Sequence, residues 1–160
     1  MTDVAALLDR LAADHQTVSV AESLTGGSLL AALTEVPGAS RVVVGGMVTY
    51  ATDAKTVLAG VPRELLESLG PVNPQIARSL AEGARDRLRT TFGVGVTGVA
   101  GPTEQAGHPV GEVHLAVVGP LGAVTSSHDF SELADRHAIR VAAGQAALSL
   151  LDAVSRESTT

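Results

Sequence analysis

Residues 17–34 read Thr17-Val18-Ser19-Val20-Ala21-Glu22-Ser23-Leu24-Thr25-Gly26-Gly27-Ser28-Leu29-Leu30-Ala31-Ala32-Leu33-Thr34, and this stretch decides the fold class. Thr17 to Ala21 is apolar and rich in β-branched residues, so it reads as a short buried strand that ends at Glu22-Ser23. Leu24 to Thr34, with the Gly26-Gly27 pair near its start, has helix-forming composition, and Pro37-Gly38 stops it. Strand, glycine turn and helix in that order form the unit from which parallel α/β sheets are built.

The same grammar runs outward in both directions. Upstream, Val4, Leu7, Leu8 and Leu11 recur at helical spacing. Downstream, Arg41 to Tyr50 is a strand in which Gly45-Gly46 suggests a bulge or a close backbone approach. A helix follows from Asp53, capped by Thr52 or Asp53 and ended by Gly60. Pro62 opens a short helix that Gly70-Pro71 closes. Asn73-Pro74 then starts the clearest helix, with Ile76, Ala77, Leu80, Ala84 and Leu88 on one face. Phe92 to Val96 is a strand leading into Thr97-Gly98-Val99-Ala100-Gly101-Pro102, and residues 103–111 form a polar loop. Val113 to Val118 and Val124 to Phe130 pair as a hairpin through Gly119-Pro120-Leu121-Gly122. A last helix runs from about Leu133 to Val154, with Arg156 to Thr160 expected to fray. The expected fold is a three-layer α/β/α sandwich, one domain over residues 1–160, whose mostly parallel sheet gains one antiparallel strand from the hairpin.

Composition narrows the function. A chain of 160 residues with 45% hydrophobic and 18% charged side chains, at a mean hydropathy of +0.27, can build one substantial core. Seventeen acidic against eleven basic residues give a net charge of −6, and only Tyr50, Phe92 and Phe130 are aromatic. A nucleic-acid partner is therefore not expected. Without cysteine there is no thiolate nucleophile and no zinc ribbon, so a nucleophile must be oxygen or nitrogen. The five histidines show no tight ligand spacing, and no metal or other cofactor is expected. The start Met1-Thr2-Asp3-Val4 lacks a secretory pattern, and no uninterrupted apolar run reaches the roughly 20 residues of a membrane span, so a cytoplasmic location without a membrane partner is expected.

Two strand ends that a parallel sheet places at one edge lead into Thr-Gly turns, Ser23-Leu24-Thr25-Gly26-Gly27 and Thr97-Gly98-Val99-Ala100-Gly101. Ligands bind at that edge in open α/β sheets, although glycines also simply turn a chain. Lys55 is the only lysine among eleven basic residues, which marks it for work that arginine cannot do, giving up a proton near neutral pH. Tyr50, the only tyrosine, stands five residues before it. Ser23 has the setting of an oxygen nucleophile or of a helix cap. Arg136 and Arg140, one helical turn apart, suit a phosphate or neighbouring carboxylates such as Asp135.

The runs Ala21-Glu22-Ser23-Leu24-Thr25-Gly26-Gly27, Val48-Thr49-Tyr50 with Ala54-Lys55, Thr97-Gly98-Val99-Ala100-Gly101-Pro102 and Pro109-Val110-Gly111 resemble the CinA C-terminal domain, the nicotinamide-mononucleotide deamidase family. The resemblance implies hydrolysis of the carboxamide of nicotinamide mononucleotide to nicotinate mononucleotide and ammonia by a metal-independent serine–lysine mechanism. It makes Ser23 the nucleophile, Lys55 its base, and Tyr50 and Thr97 neighbours that orient or relay protons. Glu22, Thr25, Gly26, Gly27, Gly98, Gly101 and Arg140 are implied on the substrate side, with Gly26 and Gly27 as oxyanion donors and Arg140 for the phosphate. A homo-oligomer, a dimer foremost, is implied too. The sequence departs from the family pattern at Leu24, often Cys, at Ala51-Thr52-Asp53, usually Ser-Asn-Glu, and in a shortened Thr103–His108 loop without the usual Gly-Gly and Lys. Longer members carry an additional N-terminal domain, and none of that domain's activity is expected here. The competing expectation is a nucleotide- or phosphate-binding module of the same fold that has lost the chemistry.

Overall fold

The computed structural model describes residues 1–133 and 135–158. In chain order the elements are α1 (Val4–Ala13), β1 (Val18–Glu22), α2 (Ser28–Thr34), a 3-10 turn at Ala39–Arg41, β2 (Val43–Val48), α3 (Thr52–Ala59), α4 (Arg63–Leu69), α5 (Pro74–Leu88), β3 (Phe92–Gly98), β4 (Glu112–Gly119), β5 (Gly122–Asp129) and α6 (Arg136–Glu157). The sheet order is β2-β1-β3-β4-β5; β1 runs parallel to β2 and β3, and β4 is antiparallel to both its neighbours. The five-strand mixed sheet between helical layers is the architecture expected from the sequence.

The sheet is apolar on both faces. Val18, Val20, Val94, Val96, Val113, Leu115 and Val117 share a core with Leu7, Leu8 and Leu11 of α1, Leu29 and Leu33 of α2, and Ile139, Ala143 and Leu151 of α6. The other face holds smaller residues. There Ala21 packs with Ala59, Val61, Leu66, Ile76, Leu80 and Ala84, and Ala116 and Val118 pack with Ala77 and Ala81. The alternation Phe92-Gly93-Val94-Gly95-Val96 follows from this asymmetry. A Cβ at Gly93 or Gly95 would stand 2.0 Å from the carbonyl oxygen of Ala81 or Ala77, so α5 lies directly on the β3 backbone. Pro74 at the first position of α5 and the Asn73 side chain, which accepts from the Gln75 N–H at 2.8 Å, start that helix as the sequence signals.

Some boundaries differ from expectation. α2 begins at Ser28 instead of Leu24, because residues 24–27 form a turn in which Gly26 and Gly27 take positive φ. β2 is shorter than Arg41–Tyr50, with the 3-10 turn before it, and its register to β1 slips past Val44, next to the Gly45-Gly46 pair that signalled a bulge. α6 starts at Arg136, where Asp135 caps it by accepting from the Ala138 N–H at 2.8 Å. It continues past Val154 to Glu157, since Val154 and Ser155 are buried and Arg10 donates to Ser155 at 2.8 Å. The fraying expected at the C-terminus falls in part on Thr159 and Thr160, outside the described residues. With 22 residues and an 18-residue stretch of mean hydropathy 1.2, α6 is long and apolar enough to cross a membrane, but its apolar side is part of the core.

Candidate active site

Three parallel strands end side by side, and their ends build the site. Beyond β1 the Ser23 N–H donates to the Val96 carbonyl of β3 at 3.0 Å, and beyond β2 the Thr49 N–H donates to the Glu22 carbonyl at 2.7 Å. These bonds fix Ser23 and Thr49 relative to each other. α3 then returns Lys55 beneath them, with Nζ 3.1 Å from Ser23 Oγ and donating to the Thr49 carbonyl at 2.8 Å. Lys55 is 1% exposed, and burial lowers its pKa from 10.5 to about 8. Its Nζ thus has a proton acceptor on one side and a hydroxyl on the other, and it carries a lone pair in an accessible fraction of molecules at neutral pH.

Ser23 faces a cavity of about 270 Å³ lined by Leu24, Tyr50, Gly98 to Gly101, Thr103 to Gln105 and Arg136. Lys55 sits behind the serine. Among the described residues no protein acceptor takes the N–H groups of Leu24, Ala100 or Gly101, although Leu24 and Ala100 are buried. All three line the cavity, the arrangement needed to receive charge developing on an oxygen beside Ser23.

The remaining expected residues fall into different places. Gly26 and Gly27 are not free donors: the Gly26 N–H donates to Ser23 O at 3.0 Å and the Gly27 N–H to Glu22 Oε2 at 3.0 Å. The Glu22 carboxylate, 1% exposed, also accepts from Leu29 and Leu30 N–H at 3.1 and 2.8 Å. It holds the start of α2 and so anchors the Ser23 turn, and it is not part of the cavity lining. Arg140 does the same from the other side, donating from Nε to Leu24 O at 3.0 Å and from Nη2 to Thr25 O at 2.9 Å. The Thr25 side chain is buried below this turn, away from the cavity lining. Thr97, 1% exposed, donates its hydroxyl to Pro71 O at 2.7 Å. Tyr50 is 60% exposed at the cavity rim, where its hydroxyl accepts from Arg136 Nη2 at 2.9 Å. Gly98 is required by the close approach of β4, since its Cβ would lie 2.5 Å from Glu112 O. Gly101 turns the chain at φ +83° and gives its carbonyl to Arg136 Nη1.

A second cluster escaped the sequence reading. His108 Nδ1 lies 3.0 Å from both Glu112 carboxylate oxygens, His114 Nε2 lies 2.8 Å from Glu112 Oε1, and His114 Nδ1 lies 2.8 Å from Ser127 Oγ. One set of neutral tautomers satisfies every member, with Ser127 donating to His114 and both imidazoles donating to Glu112. Burial works to raise the Glu112 carboxyl, but the hydrogen bonds from His114 and His108 prevail and hold it below its ordinary value. The cluster ties the 103–111 loop, which walls the cavity, to the sheet. Among the described residues no group of three or more His, Asp or Glu is arranged to hold a metal ion.

Fold and site define an α/β/α domain with a buried serine–lysine pair at the carboxyl edge of its parallel strands. The chain belongs to the CinA C-terminal domain family, whose profile matches residues 2–155. It is 48% identical over 143 residues to a CinA-like protein of Anaeromyxobacter dehalogenans (strain 2CP-1), covering 89% of this chain and 35% of that protein. A Frankia casuarinae CinA-like protein is 46% identical over 135 residues, with 84% and 31% covered. The chain thus spans about a third of the length of these relatives. Among solved structures, the competence/damage inducible protein CihA of Agrobacterium tumefaciens superposes with a TM-score of 0.87 at 40% identity, covering 97% of each chain. A CinA superfamily protein of Escherichia coli gives 0.89 at 29%, covering 95% of this chain and 92% of that one.

Proposed function

We propose that the domain is an amidohydrolase that converts nicotinamide mononucleotide and water to nicotinate mononucleotide and ammonia. The observation that carries this reading is Lys55 Nζ, buried without a carboxylate partner among the described residues and 3.1 Å from the hydroxyl of a serine that faces the cavity. Neutral Lys55 accepts the Ser23 proton as Oγ attacks the carboxamide carbon. The tetrahedral oxyanion takes the N–H groups of Leu24, Ala100 and Gly101. The Lys55 ammonium then protonates the departing nitrogen, the C–N bond breaks, and ammonia leaves an ester on Ser23. Water adds to that ester with Lys55 again as base, which releases the carboxylate and restores the serine. Family membership supports the substrate, since the family includes nicotinamide-mononucleotide amidohydrolases.

The test is direct ammonia release from nicotinamide mononucleotide by the purified domain, beside calorimetric binding of the same compound. Release with multiple turnovers supports the enzyme. Binding without release at high protein concentration refutes it and favours a nucleotide-binding module.

A further inference from the structure

Outside the Ser23 site, Ser127 stands in a chain of hydrogen bonds that passes through an imidazole and ends on a carboxylate. Its Oγ lies 2.8 Å from His114 Nδ1, and His114 Nε2 lies 2.8 Å from Glu112 Oε1. His108 Nδ1 binds the same carboxylate, 3.0 Å from both oxygens. Strand register builds the chain. The Phe130 N–H donates to Gly111 O, so by the antiparallel alternation the pairs Val113–His128 and Leu115–Ser126 exchange backbone bonds. His114 and Ser127 form the pair between them, the kind in which facing side chains come closest. The Ser127 N–H then points away from β4, and among the described residues no strand lies beyond β5. His114 is 7% exposed while Ser127 is open to solvent, so a screened base meets an accessible hydroxyl. None of these four residues lines the cavity in front of Ser23.

A hydroxyl, an imidazole within hydrogen-bond reach and a carboxylate that fixes the ring are the three parts that make a serine nucleophilic. With its Nε2–H given to Glu112, neutral His114 turns the Nδ1 lone pair toward the Ser127 hydroxyl. The bonds from His114 and His108 hold the Glu112 carboxyl below its ordinary pKa, so it is an anion where the ring gains a proton. We infer that Ser127, with His114 as its base and Glu112 positioning that base, is a second nucleophile that accepts acyl groups from small activated carboxylic esters. The inference is independent of deamidation at Ser23. Oγ attacks the ester carbonyl carbon as its proton passes to His114 Nδ1, and the oxyanion meets the outward Ser127 N–H. The C–O bond to the leaving alcohol breaks, His114 returns the proton to that oxygen, and the acyl group stays on Ser127. Water, deprotonated by His114, then releases the acid and restores the serine. An exposed strand offers few contacts for positioning, so the substrates are esters whose leaving group is already good, such as aryl esters.

The test uses the full chain carrying Ser23→Ala, so that the other nucleophile is absent from every protein compared and the outcome stands apart from the deamidase reading. Release of p-nitrophenol from p-nitrophenyl acetate gives the rate. An alkyl fluorophosphonate, which a nucleophilic serine captures with loss of fluoride, gives the position by mass spectrometry of peptides. The label is expected on Ser127. Adding Ser127→Ala is expected to abolish the label and to lower p-nitrophenol release at least about tenfold. His114→Asn keeps a hydrogen-bonding group beside Ser127 but supplies no base, and is expected to slow both reactions at least about tenfold. Glu112→Gln keeps the shape of the side chain without its charge, and Glu112→Asp keeps the charge on a shorter arm. The glutamine variant is expected to be the slower of the two; the reverse order, which a merely structural carboxylate would give, removes Glu112 from the positioning role. No label on Ser127, labelling as fast in His114→Asn as in its parent, or ester cleavage that survives Ser127→Ala undiminished overturns the assignment.

Discussion

Replacing Lys55 by Met probes the buried amine through stability, independently of any substrate. In the folded protein Lys55 titrates at about 8 against an ordinary 10.5. At about 1.4 kcal/mol per pH unit, holding the ammonium in this site costs about 3 kcal/mol below pH 8. Methionine has a similar unbranched length and no charge, and it gives up the bond to Thr49 O, which returns about 1 kcal/mol. Lys55→Met is therefore expected to be more stable than wild type by about 2 kcal/mol at pH 7, or about 4–8 °C in Tm for a domain of this size. Between about pH 8 and 10.5 the unfolded chain binds the lysine proton and the folded one does not, so wild-type stability rises with pH there. The advantage of the variant should shrink across that window and reverse by about 1 kcal/mol near pH 10.5. Urea unfolding midpoints of both proteins at a series of pH values give the difference, in which every other titrating group cancels. A stability difference that stays flat with pH, or a variant less stable at pH 7, would refute the view that Lys55 is held against a desolvation penalty.

Because Lys55 works as a base only when neutral, kcat/KM should rise about tenfold per pH unit below its lowered pKa and level off above about 8; a profile flat from about pH 6 to 9 would argue for another base. Glu22→Gln removes the charge from a carboxylate that accepts three backbone N–H groups and should destabilise the protein by about 2–3 kcal/mol, measured by urea unfolding, while lowering kcat. His108→Ala releases the 103–111 loop from Glu112 and should raise KM several-fold with kcat nearly unchanged, since no reacting group moves; a selective loss of kcat would contradict that role.

Element types and sheet direction were legible because strand and helix periods, glycine turns and the Asn73-Pro74 start are local signals. The pairing of Ser23 with Lys55 was legible for a different reason: a single lysine in an arginine-rich chain stands out, and the motif order resembles a known family. What stayed hidden depends on backbone direction and on contacts distant in sequence. The Thr49 carbonyl that accepts a hydrogen bond from Lys55 Nζ, and the open N–H groups of Ala100 and Gly101, have no side-chain signature. Gly26 and Gly27 look like anion donors until the fold places the Glu22 carboxylate at the start of α2. Arg136 and Arg140 are equivalent by spacing, and only the fold separates them: Arg136 reaches Gly101 O and Tyr50 at the cavity, whereas Arg140 holds the Leu24 and Thr25 carbonyls. The His108–Glu112–His114 cluster joins a loop to β4, and Ser127 enters it only through the β4–β5 register, in which His114 faces Ser127.

The most direct test of the account is the rate of ammonia release from nicotinamide mononucleotide by Ser23→Ala and Lys55→Arg beside the wild type. Ser23→Ala lacks the attacking oxygen, and Lys55→Arg keeps the positive charge but cannot give up its proton at any useful pH. Both are expected to lose at least about a thousandfold in kcat, as removal of a nucleophile or its base does elsewhere, while Ser23→Ala still binds the mononucleotide. Substantial turnover by either variant, in preparations that unfold like the wild type, would contradict a serine–lysine mechanism.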